Sequence, residues 1–238
     1  MHAIDYDEVN DEIVVPQQFA QAILTFRGST SGNEPPVRVI QGSRTQLSRP
    51  DRLAVDGVHN ETFVPDGGAL LVFSSKAHGN VAPIRILEGS GDDLADGAVA
   101  VDPVNDVIVL AGSAGDWGDG DGHQLLIFDR MASGNAKPIR AIRGSNTLLR
   151  NTKNVRVSPA GGWILVAEDG MEGNTGLSFV GVWSIHDDGD VPPRWTIGGP
   201  NQDLLKPRGV ALDPKNRAVI VSDKKLNAVL TYHVPELF

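Results

Sequence analysis

The stretch ALLVFSSKAHGNVAPIRILEG at residues 69–89 decides how this chain is read, because versions of it recur and their spacing organises everything else. It reads as a β-strand over residues 70–73, a turn at Gly79-Asn80, and a second strand behind Pro83 that stops at Gly89. The same frame appears as AILTF and SGNEPPVRVIQG within 22–42, as LLIF and ASGNAKPIRAIRG within 125–144, and more loosely as VGVWSIHDDGDVPPRWTIGG at 180–199. Its turn glycines are Gly32, Gly79, Gly134 and Gly189.

A second piece lies upstream of each copy and reads as strand, turn, strand. Its members are AIDYDEVNDEIVV (3–15), LAVDGVHNETFV (53–64), VAVDPVNDVIVL (99–110), VRVSPAGGWILV (155–166) and VALDPKNRAVIV (210–221). The turn carries Asp7, Asp56, Asp102, Ser158 and Asp213, so successive turns are 49, 46, 56 and 55 residues apart. Repeats of this length, each with four short strands, predict an all-β fold, a β-propeller. The repeats run over about 3–42, 53–89, 98–144, 155–199 and 209–238, which gives five blades of four antiparallel strands, the last lacking its outer strand. One domain over 1–238 is expected, since the repeats run from end to end.

Composition agrees with a packed β fold: 40% of residues are hydrophobic, and the strands are rich in Val, Ile and Leu. No stretch of about 18 apolar residues and no basic-then-apolar leader occurs, so neither a membrane span nor a signal peptide is expected in this chain. Cysteine is absent, which removes disulfide and thiol chemistry without selecting a compartment. Net charge is 21 − 30 = −9, and no basic stripe gathers the Lys and Arg residues, which argues against a nucleic-acid partner.

With the strands of each unit named A to D, an up-and-down order puts the A–B and C–D turns on one face and the B–C and D–A connections on the other. The first face holds short stereotyped turns. Asp and Asn are wanted there because their side chains bond nearby backbone, so a structural role is expected for Asp7, Asp56, Asp102 and Asp213. The second face is where the repeats differ: a tight Asp66-Gly67-Gly68 turn in repeat two becomes AGSAGDWGDGDGHQ (111–124) in repeat three and AEDGMEGNTGLS (167–178) in repeat four. Variable connections on one face of a repeat scaffold are where recognition is expected. In the D–A links, Leu47, Leu94, Leu149 and Leu205 stand in register and are expected to plug neighbouring blades. Pro36, Pro83, Pro138 and Pro193 open the D strands and place them at the rim. Arg38, Arg85 and Arg140 follow two residues later, with Trp195 in that register in repeat four, and read as solvated rim charges that discourage edge pairing.

These units resemble NHL-type repeats, above all PRGVALDPKNRAVIVSDKKLNAVLTY (207–232), where Pro207, Gly209, Asp213, Asp223 and Asn227 match the repeat pattern. The chain is also similar to bacterial propellers of unassigned role built from GNxxPxR units. The resemblance covers all five units and weakens in repeats three and four, at Ser158 and the two insertions. It implies a propeller, commonly of six blades, and favours an extracellular or periplasmic location; it implies no single activity.

The most chemical-looking segment is Asp116-Trp117-Gly118-Asp119-Gly120-Asp121-Gly122-His123. Alternating carboxylates can wrap a hard cation such as Ca²⁺, so Asp116, Asp119 and Asp121 are candidate metal ligands; the closing Glu of an EF-hand is missing, and flexible surface insertions share this composition. Propellers of this kind include metal-dependent lactonases, which makes a hydrolase at the channel mouth the alternative. The six histidines lie in different registers, His59 and His78 on the turn-rich face, and no Ser/His/Asp arrangement stands on strand ends. Trp163 and Trp183 fall within strands and are expected in the core, leaving Trp117 for exposed contact. The expected function is therefore non-catalytic recognition of a protein or extracellular polymer through Asp116, Trp117, Asp119, Asp121, His123, Glu168, Asp169 and Glu172. Counting strands adds one more expectation. Unit five ends at VPELF straight after its C strand, so the edge at residues 229–232 is expected to take a strand from preceding residues of a longer protein or another chain, the alternative being a three-stranded fifth blade closed only by side-chain packing.

Overall fold

The computed structural model describes residues 3–89, 97–113, 123–170, 178–199 and 204–238. It holds five antiparallel sheets, four strands each except the last with three, and is a five-bladed β-propeller. Blade 1 is β1 (Asp5–Asp7), β2 (Glu12–Gln17), β3 (Ala22–Arg27) and β4 (Arg38–Gln41); blade 2 is β5 (Ala54–Asp56), β6 (Glu61–Asp66), β7 (Ala69–Ser74) and β8 (Arg85–Glu88). Blade 3 is β9 (Ala98–Asp102), β10 (Val107–Ser113), β11 (His123–Asp129) and β12 (Arg140–Arg143); blade 4 is β13 (Thr152–Ser158), β14 (Trp163–Glu168), β15 (Phe179–Ser184) and β16 (Trp195–Gly198). Blade 5 is β17 (Pro207–Asp213), β18 (Ala218–Asp223) and β19 (Ala228–His233). In every blade each strand pairs with its sequence neighbour, so the outer edge of blade 5 is β19. Among the described residues no helix is long and apolar enough to cross a membrane.

The Asx turns form as their chemistry requires. Asp102 Oδ1 accepts the N–H groups of Val104 (3.0 Å) and Asn105 (2.9 Å), while Oδ2 accepts from the Asn105 side chain (2.8 Å). Asp7 and Asp56 are used in the same way and are equally buried, and His59 is held at 2.7 Å by Asp56. Alternation along each strand then sends one set of apolar side chains to the preceding blade and the other to the next. In blade 2, Val64, Leu71 and Phe73 pack against Val14, Ile23 and Ile40 of blade 1, whereas Phe63, Leu70 and Val72 pack against Val99, Ile108 and Leu126 of blade 3. Similar clusters join blades 3 and 4, around Trp183, and blades 4 and 5.

The Gly-Asn turns do more than reverse the chain. Gly79, Gly134 and Gly189 each pair in parallel with the outer strand of the preceding blade, at Ile40, Leu87 and Ile142. The Gly79 N–H donates to Val39 O (2.7 Å), and Gly79 O accepts from Gln41 N–H (3.1 Å). Asn80 next to it accepts the Arg44 N–H at 2.7 Å, and Asp190 does the same for Asn146 at 2.8 Å. Gly42 and Gly144 make this latch possible. Both sit at φ +128°, and a Cβ on Gly42 would lie 2.6 Å from the Asn80 side chain, one on Gly144 2.4 Å from Asp190.

Three expectations are corrected. The rim arginines are not solvated charges: Arg38 grips Glu12 with both terminal nitrogens and donates Nε to Ser75 O of blade 2 at 3.0 Å. Arg85 grips Glu61 and donates to Arg130 O of blade 3 at 3.1 Å, and Arg140 reaches Ile185 O of blade 4 at 3.3 Å. Each thus pins the C-strand end of the next blade, a role that an alternation pattern cannot reveal. Leu47 and Leu149 are buried plugs, but in the last link it is Leu204, fully buried against Gly198, that takes this place, with Leu205 only partly buried. Leu94 lies outside the described residues. Trp183 is core, whereas Trp163 is partly exposed and meets Trp195 edge-on at 4.8 Å, beneath Arg194, so the aromatic pair on blade 4 adds to the exposed contacts expected of Trp117 alone.

Candidate functional site

The inner strands of successive blades stand side by side around the centre, and their starting ends lie on the face formed by the B–C and D–A connections. On that face the second strand of three blades ends in a carboxylate that holds the incoming link. Asp66 accepts the Ser48 N–H (2.7 Å) and Arg49 N–H (3.0 Å), and Asp223 accepts those of Leu205 and Lys206, both at 2.7 Å. Glu168 is their counterpart in blade 4: it accepts the Asn151 N–H at 2.5 Å, the Gly170 N–H at 3.1 Å and the Thr152 hydroxyl at 3.2 Å. Burial dominates these bonds and pushes the Glu168 carboxyl up to about 7.

The structure therefore brings together three of the residues singled out from sequence. Thr152 links His123, whose Nδ1 accepts its N–H at 3.4 Å, to Glu168, and Asp169 follows next in the chain. Burial, with Lys153 nearby, holds the His123 imidazole below its usual value. Glu168 is fully buried and occupied by the link, so it shapes the site from beneath. Asp116, Trp117, Asp119, Asp121 and Glu172 lie outside the described residues, and the calcium reading of the first segment lies there with them. Among the described residues, no group of three or more His, Asp or Glu is placed to hold a metal ion.

What sequence reasoning missed is the set of cations around Asp169. Lys153 Nζ, Lys206 Nζ and the Arg208 guanidinium stand 4.0, 3.9 and 3.6 Å from its carboxylate, which is 6% exposed. Arg52 joins them from the link into blade 2 by donating to the Lys153 carbonyl. Lys153 and Arg208 are there for a structural reason: the A strands of blades 4 and 5 each carry a register shift, between Thr152 and Asn154 and between Pro207 and Gly209, and these two are the extra residues. A bulge of this kind re-aims a side chain that alternation would have sent elsewhere. A signal was present in the recurrence of basic residues within the links, RPDR, NTKN and KPRG, but their convergence needs the ring.

No family model matches the sequence, and no curated protein matches it. Among solved structures the chain is similar to hydrazine synthase of Kuenenia stuttgartiensis, with a TM-score of 0.63 and 16% identity, over 92% of this chain and 54% of that one. The chain thus spans about half the length of that protein, and at this identity the likeness is one of fold, a β-propeller fold that the sheet order shows independently.

Proposed function

We propose that this is a non-catalytic recognition propeller of the NHL-repeat type that binds a protein or extracellular polymer through the face made by its B–C and D–A connections. The observation that carries the reading is the contrast between the faces. On one, the turns repeat with the same Asx and Gly-Asn bonding in blade after blade; on the other, the connections differ in length along the sequence and charged side chains gather at Asp169. Scaffold turns that are tied to the next blade cannot vary freely, whereas connections whose length differs from blade to blade can carry recognition. The NHL-type reading is supported by Asp223, whose carboxylate holds the link from which Pro207 and Gly209 lead into β17. Calcium at Asp116, Asp119 and Asp121 belongs to this proposal as a means of ordering the longer connection.

The test compares the intact protein with a variant whose segments 114–122 and 171–177 are replaced by the two-glycine turn found after Asp66. A pull-down and a glycan array read the outcome, with metal analysis of the purified protein alongside. Loss of a captured partner in the variant is expected. Unchanged capture, or turnover in a lactone and phosphoester panel with added divalent metals, would overturn the reading.

A further inference from the structure

We propose that Lys153, Lys206 and Arg208, gathered around Asp169 on the face of the B–C and D–A connections, together with Arg52 beside Lys153, bind a compact oxyanion carrying two or more negative charges, a phosphate or a polycarboxylate. This deepens the reading of that face as the recognition surface and rests on it for the site's purpose, though not for its binding chemistry.

The first argument is the balance of charge. Three cations, Lys153, Lys206 and Arg208, face one buried carboxylate, Asp169, and Arg52 adds a fourth beside Lys153; among the described residues the other acids acting on them are Asp51, on Arg52, and Glu168, on Lys153. Glu168 is occupied by backbone N–H groups below the site. The second is distance. All three charged groups around Asp169 lie at 3.6–4.0 Å, beyond hydrogen-bond range, so the carboxylate attracts them without consuming their N–H donors, of which Lys153 gives one to Asn151 Oδ1. Arg52 donates to the Lys153 carbonyl, but its buried Nε has no partner among the described residues.

The third argument is repulsion. Burial and the neighbouring Arg208 and Arg52 hold the Lys153 ammonium below its usual value, with Asp169 and Glu168 acting in the opposite sense. Arg52 is likewise lowered by burial and by Arg208, against Asp51. Like charges held this close at a half-buried mouth raise the energy of the empty site, and an added oxyanion relieves it while accepting several charge-assisted bonds. The fourth is how the cations come to be there. Two of them occupy strand bulges, irregularities that blade 2 and the sheet ladder do not need.

The size of the ligand follows from the rest of the molecule. A net charge of −9 repels an extended polyanion, while a local positive mouth in an acidic surface draws in a small one.

The experiment is isothermal titration calorimetry of the full chain with inorganic phosphate, sulfate and citrate, at pH 6.5 and constant ionic strength. Saturable one-to-one binding of at least one is expected, and comparing phosphate with citrate identifies the favoured oxyanion chemistry. Arg208→Gln and Lys206→Gln, both at partly exposed positions, are each expected to weaken it about tenfold. Asp169→Asn is expected to strengthen it, because the competing carboxylate is gone; weaker binding with an intact melting transition would count against the site. If Asp169→Asn does not fold, the Arg208 and Lys206 variants carry the test. Absence of saturable binding by all three oxyanions, or equal affinity in the Arg208→Gln/Lys206→Gln double variant, overturns the proposal. Removal of segments 114–122 and 171–177 separates the two readings: lost partner capture with retained oxyanion binding upholds both, and retained capture with oxyanion binding refutes only the recognition role of those segments.

Discussion

The junction between blades 1 and 2 and the side of blade 5 that faces blade 1 are built from the same repeat, yet they bury it differently. In blade 2, Thr62, Val64, Leu71 and Phe73 face blade 1 and are all buried. Their register equivalents in blade 1, Ile13, Val15, Leu24 and Phe26, remain partly exposed. On the opposite side, Phe63, Leu70 and Val72 of blade 2 are buried, whereas their equivalents in blade 5, Ile220, Val229 and Thr231, are uncovered to the point that Val229 is 70% exposed. The latch shows the same contrast. Gly42 and Gly144 are closed over by Asn80 and Asp190 of the following blade, but among the described residues nothing lies within 4 Å of a Cβ on Gly199, where the following blade has no C–D turn. A propeller blade is therefore only half of a folding unit; the other half is supplied by its neighbour.

The largest expected effect tests that statement in the core. Phe73→Ala should cost about 3–5 kcal/mol, as deletion of a fully buried aromatic does, while Phe26→Ala at the matching position should cost about 1 kcal/mol. Chemical denaturation of the two variants reads the difference, and equal costs would mean that blade 1 is covered as completely as blade 2. The same logic applies to an added strand: a PxRxIxG-type segment fused ahead of Met1 should raise the melting temperature by pairing with β19, and no rise would show that this edge needs no partner.

Next come the glycines. Gly144→Ala combines a positive φ with a Cβ 2.4 Å from Asp190 and should cost about 2–3 kcal/mol; Gly199→Ala, at φ +93° with open space, should cost only the backbone strain of about 1 kcal/mol. A melting series on the two would sharpen the comparison, since both carry a positive φ and only Gly144 is closed over by a following blade.

Two carboxylates give opposite pH dependence. Burial raises the Glu61 carboxyl, but Arg85 and Arg130 outweigh it and hold the group below its usual value; it therefore contributes stability that is present above about pH 4.5 and is lost as pH falls through its lower folded value. Glu168 is raised to about 7, so its contribution is fully present below about pH 4.5 and is lost as pH rises through 7. Glu61→Gln should flatten the stability profile below about pH 4.5 and Glu168→Gln between about pH 4.5 and pH 7, as read by melting temperature from about pH 2.5 to pH 8.5. The smallest effect is expected at the open edge, where Val229→Lys should change stability by less than about 0.5 kcal/mol yet reduce any self-association seen by light scattering.

Much of this architecture is local and so was readable from residues alone. An Asx turn needs only Asp102 and Asn105, a positive-φ turn needs only Gly79, and alternation needs only the strand's own side chains, which is why the five units, the strand order and the missing last strand follow from the sequence. The clasp of Arg38 on Ser75, the parallel bridge of Gly79 to Ile40, and the buried Leu204 in place of Leu205 are contacts between blades, whose partners lie a full repeat away or depend on how a link is wound. Asp169 stood out in sequence as one acid in a variable connection; Arg52, Lys153, Lys206 and Arg208 did not, because they come from separate links and two of them are aimed by bulges. Charge convergence of that kind is a property of the ring, since only closing successive blades about one axis brings Arg52 and Lys153, 101 residues apart, side by side next to the Asp169 carboxylate.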